Sequence, residues 1–153
     1  SKKTEGIVYS SKPLNYNGAL IDEFWLKFEK GKVIDFDAKK GKKILEGIIN
    51  SDEGSSYLGE AALVSYDSPI SNTNLVFYET LLDENASCHL ALGEGFKTVI
   101  KDYDKYSDEE IEKMGLNISK VHVDFMIGTK DLNIVAETDN GNIEIFKDGN
   151  FVV

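Results

Sequence analysis

The sequence predicts a single α+β domain that is rich in strands, with a mixed sheet and two or three helices. Residues 121–128 alternate apolar and polar side chains, as a half-buried strand does. An Asn-Gly pair at 140–141 lies between two more alternating segments, which is typical of a β-hairpin. Ser107 and Glu110 have the spacing of a capping box, so a short helix is expected after Ser107. A length of 153 residues fits one domain with a substantial core.

The first forty residues predict three strands and two turns. Residues 7–9, 19–28 and 33–36 are the expected strands, and polar turns are expected at 15–18 and 29–32. The apolar residues predicted to share one face of the second strand are Leu20, Phe24, Leu26 and Phe28.

A helix, a strand and a second helix are expected in the middle of the chain. Asp37 is the predicted N-cap of a helix over 38–50. The apolar stripe of that helix consists of Ile44, Leu45, Ile48 and Ile49. Residues 58–64 predict a buried strand that contains Glu60, and the apolar segment 75–84 predicts a helix.

The remaining strands lie near the C-terminus of the sequence. Segments 132–136 and 143–146 flank the Asn-Gly pair, and a last turn is expected at 148–149. The predicted strand at 121–128 has one apolar face, formed by Val121, Val123, Phe125 and Ile127. Its other face carries His122 and Asp124, about 6.6 Å apart along the strand.

Composition limits the classes of partner. The chain has 17 basic and 27 acidic residues, a net charge of −10, and all its basic residues are lysine. An acidic surface disfavours nucleic acid, whose binding depends on neutralising phosphates. Nothing approaches an 18-residue apolar run, so no membrane span is expected. One cysteine and no apolar leader after Ser1 lead us to expect a reducing, cytoplasmic location.

Five residues are candidate metal ligands: Glu60, Glu84, His89, His122 and Asp124. The two histidines are the only ones in the chain, and each lies in apolar sequence close to a carboxylate. Two imidazoles and three carboxylates suit two divalent ions that share a carboxylate. Glu84 and His89 can face one ion only if the helix ends or bends between them, because five positions correspond to about 140°. Core histidines paired with acids are the alternative.

Four segments, taken together, resemble the C-terminal part of the metallo-aminopeptidase family of aminopeptidase T and aminopeptidase S. They occur in the family's order and spacing, and the resemblance extends over the whole chain. The segments are Ser10-Ser11-Lys12-Pro13-Leu14-Asn15-Tyr16-Asn17-Gly18, Leu58-Gly59-Glu60-Ala61-Ala62-Leu63-Val64, Asp83-Glu84-Asn85-Ala86-Ser87-Cys88-His89-Leu90-Ala91-Leu92-Gly93 and His122-Val123-Asp124-Phe125-Met126-Ile127-Gly128.

The resemblance implies a function as well as an ancestry. It implies removal of N-terminal residues from peptides, two divalent ions (zinc, cobalt, manganese or magnesium) and a homodimer. Its metal ligands correspond to the same five candidates, on strand and loop ends.

Two departures from the family pattern bear on activity. A further metal-binding glutamate is expected upstream of the first segment, where this chain does not extend, and the family's N-terminal domain is also outside it. A tyrosine expected seven residues after His89 is Phe96 here. The alternative is therefore a truncated, non-catalytic domain that binds one metal ion or none and serves dimerisation or peptide binding.

Overall fold

The computed structural model describes residues 2–153, without the side chain of Thr80; Ser1, considered above, lies outside the described residues. The strands are β1 (Gly6–Tyr9), β2 (Leu14–Tyr16), β3 (Ala19–Glu29), β4 (Lys32–Lys40), β5 (Leu58–Ala62), β6 (His89–Gly93), β7 (His122–Met126), β8 (Ile134–Thr138), β9 (Gly141–Lys147) and β10 (Asn150–Phe151). The α-helices are α1 (Lys42–Ile49), α2 (Thr80–Asp83) and α3 (Asp108–Lys113). Short 3₁₀ turns lie at Gly54–Ser56, Ser71–Thr73, Glu84–Ala86, Lys97–Val99 and Tyr103–Lys105.

The prediction of a strand-rich α+β fold with two or three helices is confirmed. Within residues 2–153 the strands form three antiparallel sheets rather than one mixed sheet. Strand β3 pairs with β1, β2 and β4 in the first sheet, and β5, β6 and β7 form the second. The third sheet contains β8, β9 and β10. All pairings are antiparallel because neighbouring strands are joined by turns or irregular segments and not by a long helical crossover.

The main core joins the first sheet to the second. The ring of Phe24 on β3 lies 5.5 Å from the ring of Phe125 on β7, measured between centroids. Val123 and Phe125 are buried on the face of β7 that the alternation predicted to be apolar. Helix α1 covers the same core with Leu45, Ile48 and Ile49. The polar face of β7 is therefore turned away from this core.

The predicted apolar face of β3 is correct from Phe24 onward and wrong before it. Ile21 is fully buried, whereas Leu20 is only partly buried. Glu23 has a positive φ of 47°, which turns the strand, so the side chains before and after it do not follow one continuous alternation. Phe24, Leu26 and Phe28 are buried as expected.

The helix predicted over 38–50 begins later, and Asp37 is not its N-cap. Residues up to Lys40 continue β4 because they pair with β3, and α1 begins at Lys42. The Asp37 carboxylate instead lies 3.0 Å from the Lys42 ammonium. Gly41 makes the turn between strand and helix, in the left-handed conformation that favours glycine.

Two other predicted elements are shorter than expected. The segment 75–84 is irregular up to α2, because the carboxylate of Asp83 accepts hydrogen bonds from the backbone of Phe77 and Glu79. Its leucines at 75, 81 and 82 are exposed, so no apolar stripe is buried. The strand predicted at 58–64 ends at Ala62 and is a half-exposed edge strand. Part of the turn predicted at 15–18 belongs to β2.

Other elements agree with the sequence. Helix α3 has the predicted capping box between Ser107 and Glu110, and β8 and β9 form the predicted hairpin. Among the described residues, no helix combines the length and the apolar character that crossing a membrane requires.

Replacing Gly41 by alanine is expected to destabilise the fold. A Cβ atom there would lie 2.6 Å from the carbonyl oxygen of Leu20, and the φ of 77° disfavours a side chain. We expect a loss of about 1–3 kcal/mol in the free energy of unfolding, measured with urea. Gly47→Ala is the control: its Cβ meets no atom within 4 Å, and alanine should stabilise the helix by about 1 kcal/mol. A Gly41→Ala protein as stable as the parent would contradict this role.

Candidate metal centre

One face of the second sheet brings the candidate ligands together through its strand register. Ala91 in the middle strand β6 lies opposite Glu60 on β5 and opposite Asp124 on β7. Residues directly opposite each other in antiparallel strands point to the same face. The carboxylates of Glu60 and Asp124 therefore flank the small side chain of Ala91.

The two histidines occupy the neighbouring rows of the same face. His89 precedes Ala91 by two positions on β6, and His122 lies opposite Gly93, two positions after Ala91. Side chains two residues apart on a strand share a face. Four of the five candidates thus converge although 64 positions separate Glu60 from Asp124 in the sequence.

The Glu60 carboxylate lies between the two imidazoles. Its Oε1 is 3.4 Å from His89 Nε2, and its Oε2 is 3.6 Å from His122 Nε2. Asp124 Oδ1 is 3.1 Å from His122 Nε2. Donor atoms of Glu60, His89 and Asp124 all lie within 4.8 Å of one another.

Backbone carbonyls fix the orientation of both rings. His122 Nδ1 donates a hydrogen bond to the carbonyl of Glu94 at 2.7 Å, and His89 Nδ1 donates to the carbonyl of Ser87 at 3.3 Å. In both histidines Nε2 therefore points to the carboxylates. This is the usual arrangement of a metal-binding histidine, in which the second nitrogen is held by an outer partner.

The proton on His122 is held firmly when the carboxylates are its only partners. The hydrogen bond to Asp124 raises the pKa of His122 to about 9, with a further contribution from the Glu94 carbonyl against an opposing effect of burial. A metal ion that binds Nε2 must displace this proton, so binding should release protons near neutral pH.

Glu84 lies at the edge of the cluster. Burial raises the pKa of Glu84, the charges of Asp124 and Glu60 raise it further, and the imidazoles of His89 and His122 lower it. The 3₁₀ turn Glu84–Ala86 ends before β6 begins, so the chain does bend between Glu84 and His89, as joint binding would require. Glu84 is not among the three residues whose donor atoms lie within 4.8 Å.

The donor set fits divalent ions. His89 and Asp124 are 5% and 7% exposed, and clustered carboxylates in such a place are costly unless cations compensate them. Imidazole nitrogens mixed with carboxylate oxygens suit zinc, cobalt and manganese. No pair of the five sits on one helix, so the sequence contains no compact metal motif.

Several residues that support the site were not predicted from the sequence. Ser119 donates through its hydroxyl to Asp52 and through its backbone N–H to the Glu94 carboxylate, which ties down the segment before His122. Asp52 also accepts from the backbone of Lys120 at 2.7 Å and of Ser55 at 2.9 Å. The only sequence signal was an acid in a serine-rich loop, which is too common to be specific.

Phe96, which the sequence singled out as a departure, lies next to the cluster. Its ring centroid is 4.7 Å from that of His122, with the planes tilted by 43°. The ring covers one side of the imidazole with an apolar surface, although it is itself 52% exposed.

Comparison with known proteins places these residues in a family context. The profile of a family described as thermophilic metalloprotease (M29) matches residues 1–151. The chain is 53% identical over 148 residues to aminopeptidase AmpS of Bacillus subtilis and 37% identical over 153 residues to aminopeptidase T of Thermus aquaticus. These matches cover 96% and 99% of this chain, but 36% and 37% of the relatives.

A solved structure agrees with the fold. Wild-type AmpT from Thermus thermophilus superimposes with a TM-score of 0.88 at 36% identity, over 99% of this chain and 38% of that one. The chain thus spans little more than a third of the length of the relatives it matches.

The Asp52 clamp is expected to contribute stability in a pH-dependent way. Burial alone would raise the pKa of Asp52, but hydrogen bonds from Lys120, Ser119 and Ser55 lower it below the ordinary value. Its contribution is therefore complete above pH of about 4 and is lost as the pH falls through the lowered pKa. At pH 7 we expect Asp52→Asn to cost about 1–3 kcal/mol in urea unfolding, and we expect less at pH 3.

The matched control for this clamp is Asp139→Asn, in the exposed turn between β8 and β9. It should leave stability unchanged at both pH values. A difference between the parent and Asp52→Asn that stays constant from pH 7 to pH 3 would show that the carboxylate charge is not what holds the loop.

Proposed function

The chain belongs to the M29 family of thermophilic metalloproteases, and on that premise we propose that it is the metal-binding part of an aminopeptidase. The reaction is the hydrolytic removal of N-terminal residues from peptides. The observation that carries this proposal is the Glu60 carboxylate, with one oxygen near each of two imidazoles and Asp124 beside them. Relatives named aminopeptidases support the substrate class.

We assign Glu60, His89, His122 and Asp124 as ligands of two divalent ions, with Glu84 as a fifth ligand. Glu60 is the carboxylate placed to be shared, because its two oxygens face different histidines. Bound ions supply Lewis acidity, which activates water and polarises a scissile carbonyl.

The chain's own residues prepare the site for this chemistry. The carbonyls of Ser87 and Glu94 hold the Nδ1 protons, so that both Nε2 atoms face the carboxylates. Phe96 shields His122 on one side. The carboxylates concentrate negative charge, which favours cations and the free ammonium end of a peptide over anionic ligands.

The finer parts of the proposal concern location and assembly. We place the protein in the reducing cytoplasm, because its single cysteine, Cys88, is buried. The longer protein is proposed to be a homodimer that acts on peptide substrates.

A non-catalytic metal-binding domain is the second candidate. The observation that favours it is Phe96, which brings an apolar ring without a hydroxyl to the side of His122. Hydrolysis of leucine p-nitroanilide by this chain, loaded with zinc, cobalt or manganese, would contradict the second candidate.

Removing a carboxylate is expected to weaken metal binding strongly. We expect Glu60→Gln and Asp124→Asn to lower zinc affinity by at least about 100-fold, since loss of an outer partner alone costs 10–100-fold. Affinity is measured by competition with a chromophoric chelator, and zinc per chain is measured after dialysis. Glu144→Gln on the exposed face of β9 is the control and should bind zinc like the parent. An Asp124→Asn protein with unchanged zinc content would refute the assignment.

A further inference from the structure

An apolar pocket opens directly beside the candidate metal centre. It has a volume of about 380 Å³ and lies between β5 and the 3₁₀ turn Lys97–Val99. We define the apolar pocket by its side-chain walls, which are Ala62, Phe96, Val99 and Leu116, together with Glu60 at its inner end.

The walls of the apolar pocket are held in place by close backbone packing. The side chain of Leu116 lies over Gly95, where an added Cβ would come within 2.8 Å of Leu116 Cδ1. Gly59 on β5 approaches the carbonyls of Gly93 and Glu94 so closely that no side chain fits there. The space between β5 and the segment after β6 is therefore built into the fold.

Two residues make the apolar pocket continuous with the cluster. Glu60 lines the pocket, and its carboxylate faces both histidines. Phe96 forms another wall, and its ring packs on the ring of His122. A group held by the metal ligands would thus have its neighbouring atoms at the mouth of the pocket.

The chemistry of the walls selects the occupant. Glu60 is the one charged residue among those that line the pocket, and its carboxylate is engaged with the imidazoles. Val99 is 75% exposed, so an uncharged apolar side chain entering the pocket would cover surface that now faces water. Pockets of this kind discriminate by the number of methyl and methylene groups they bury.

We propose that the apolar pocket binds the side chain of the N-terminal residue of the peptide, and that it selects aliphatic residues such as leucine. This rests on the proposed function, because it places the residue's amine and scissile carbonyl at the metal ligands. Phe96, Val99 and Leu116 are then specificity-determining residues.

The test compares the binding of two small probes, L-leucinamide and glycinamide, by titration calorimetry. Both zinc-loaded and metal-free protein are used, because the chain alone forms the pocket. We expect leucinamide to bind about tenfold more tightly than glycinamide, as expected for partial burial of one leucine side chain. Equal affinities, or no binding of either amide, would overturn the proposal.

Val99→Trp fills the apolar pocket and should remove most of the difference between the two amides. Val153→Trp is the matched control, because Val153 is also 75% exposed and does not line the pocket. It should keep the tenfold preference. Circular dichroism confirms that both variants fold, and a Val99→Trp protein that keeps the preference would overturn the proposal.

Turnover separates this proposal from the proposed function. If leucine p-nitroanilide is not hydrolysed but leucinamide keeps its preference, the aminopeptidase assignment fails and the pocket assignment stands. If leucine and glycine p-nitroanilides are hydrolysed with equal kcat/KM, the pocket assignment fails and the aminopeptidase assignment stands.

Discussion

The alignment of Glu60, Ala91 and Asp124 across three antiparallel strands is the constraint on which the site depends. Two carboxylates can lie over the middle strand only because Ala91 is small and fully buried. A slip of one residue in β7 would turn Asp124 into the core and Phe125 into the site. Packing of Phe125 against Phe24 prevents that slip, so the hydrophobic core and the polar cluster are two consequences of one register.

The cluster is costly without cations, and the surrounding structure shows how the chain tolerates it. Carboxylates with little exposure are held against imidazoles, and the imidazoles are held by backbone carbonyls. The hydrogen bond between His122 and Asp124 keeps a proton where a cation would otherwise bind. The same groups therefore satisfy one another in the absence of metal and offer Nε2 and carboxylate oxygens in its presence.

The sequence predicted the parts that depend on local pattern. The two faces of β7 follow from strict alternation, and the capping box of α3 and the hairpin of β8 and β9 follow from short motifs. The convergence of Glu60 on β5 with His89 on β6 depends on long-range pairing, which no spacing in the sequence reveals. Residue types pointed to the ligands, and the resemblance to the family grouped them.

Errors in the prediction have the same origin. Asp37 has the residue type of an N-cap, but pairing of Ala38 and Lys40 with β3 keeps the chain extended beyond it. The segment from Leu75 is apolar enough for a buried helix, yet the Asp83 carboxylate takes up backbone N–H groups that a helix would use. The apolar pocket beside Glu60 was also invisible in the sequence, because Phe96, Val99 and Leu116 come from segments that meet only after folding.

The most direct test of the central claim is an anomalous difference map from crystals of this chain grown with zinc. The account predicts density between Glu60 and His89, with zinc about 2.0–2.2 Å from His89 Nε2 and from carboxylate oxygens of Glu60 and Asp124. Zinc found only at other surface acids, with His89 and His122 still paired to the carboxylates, would contradict it.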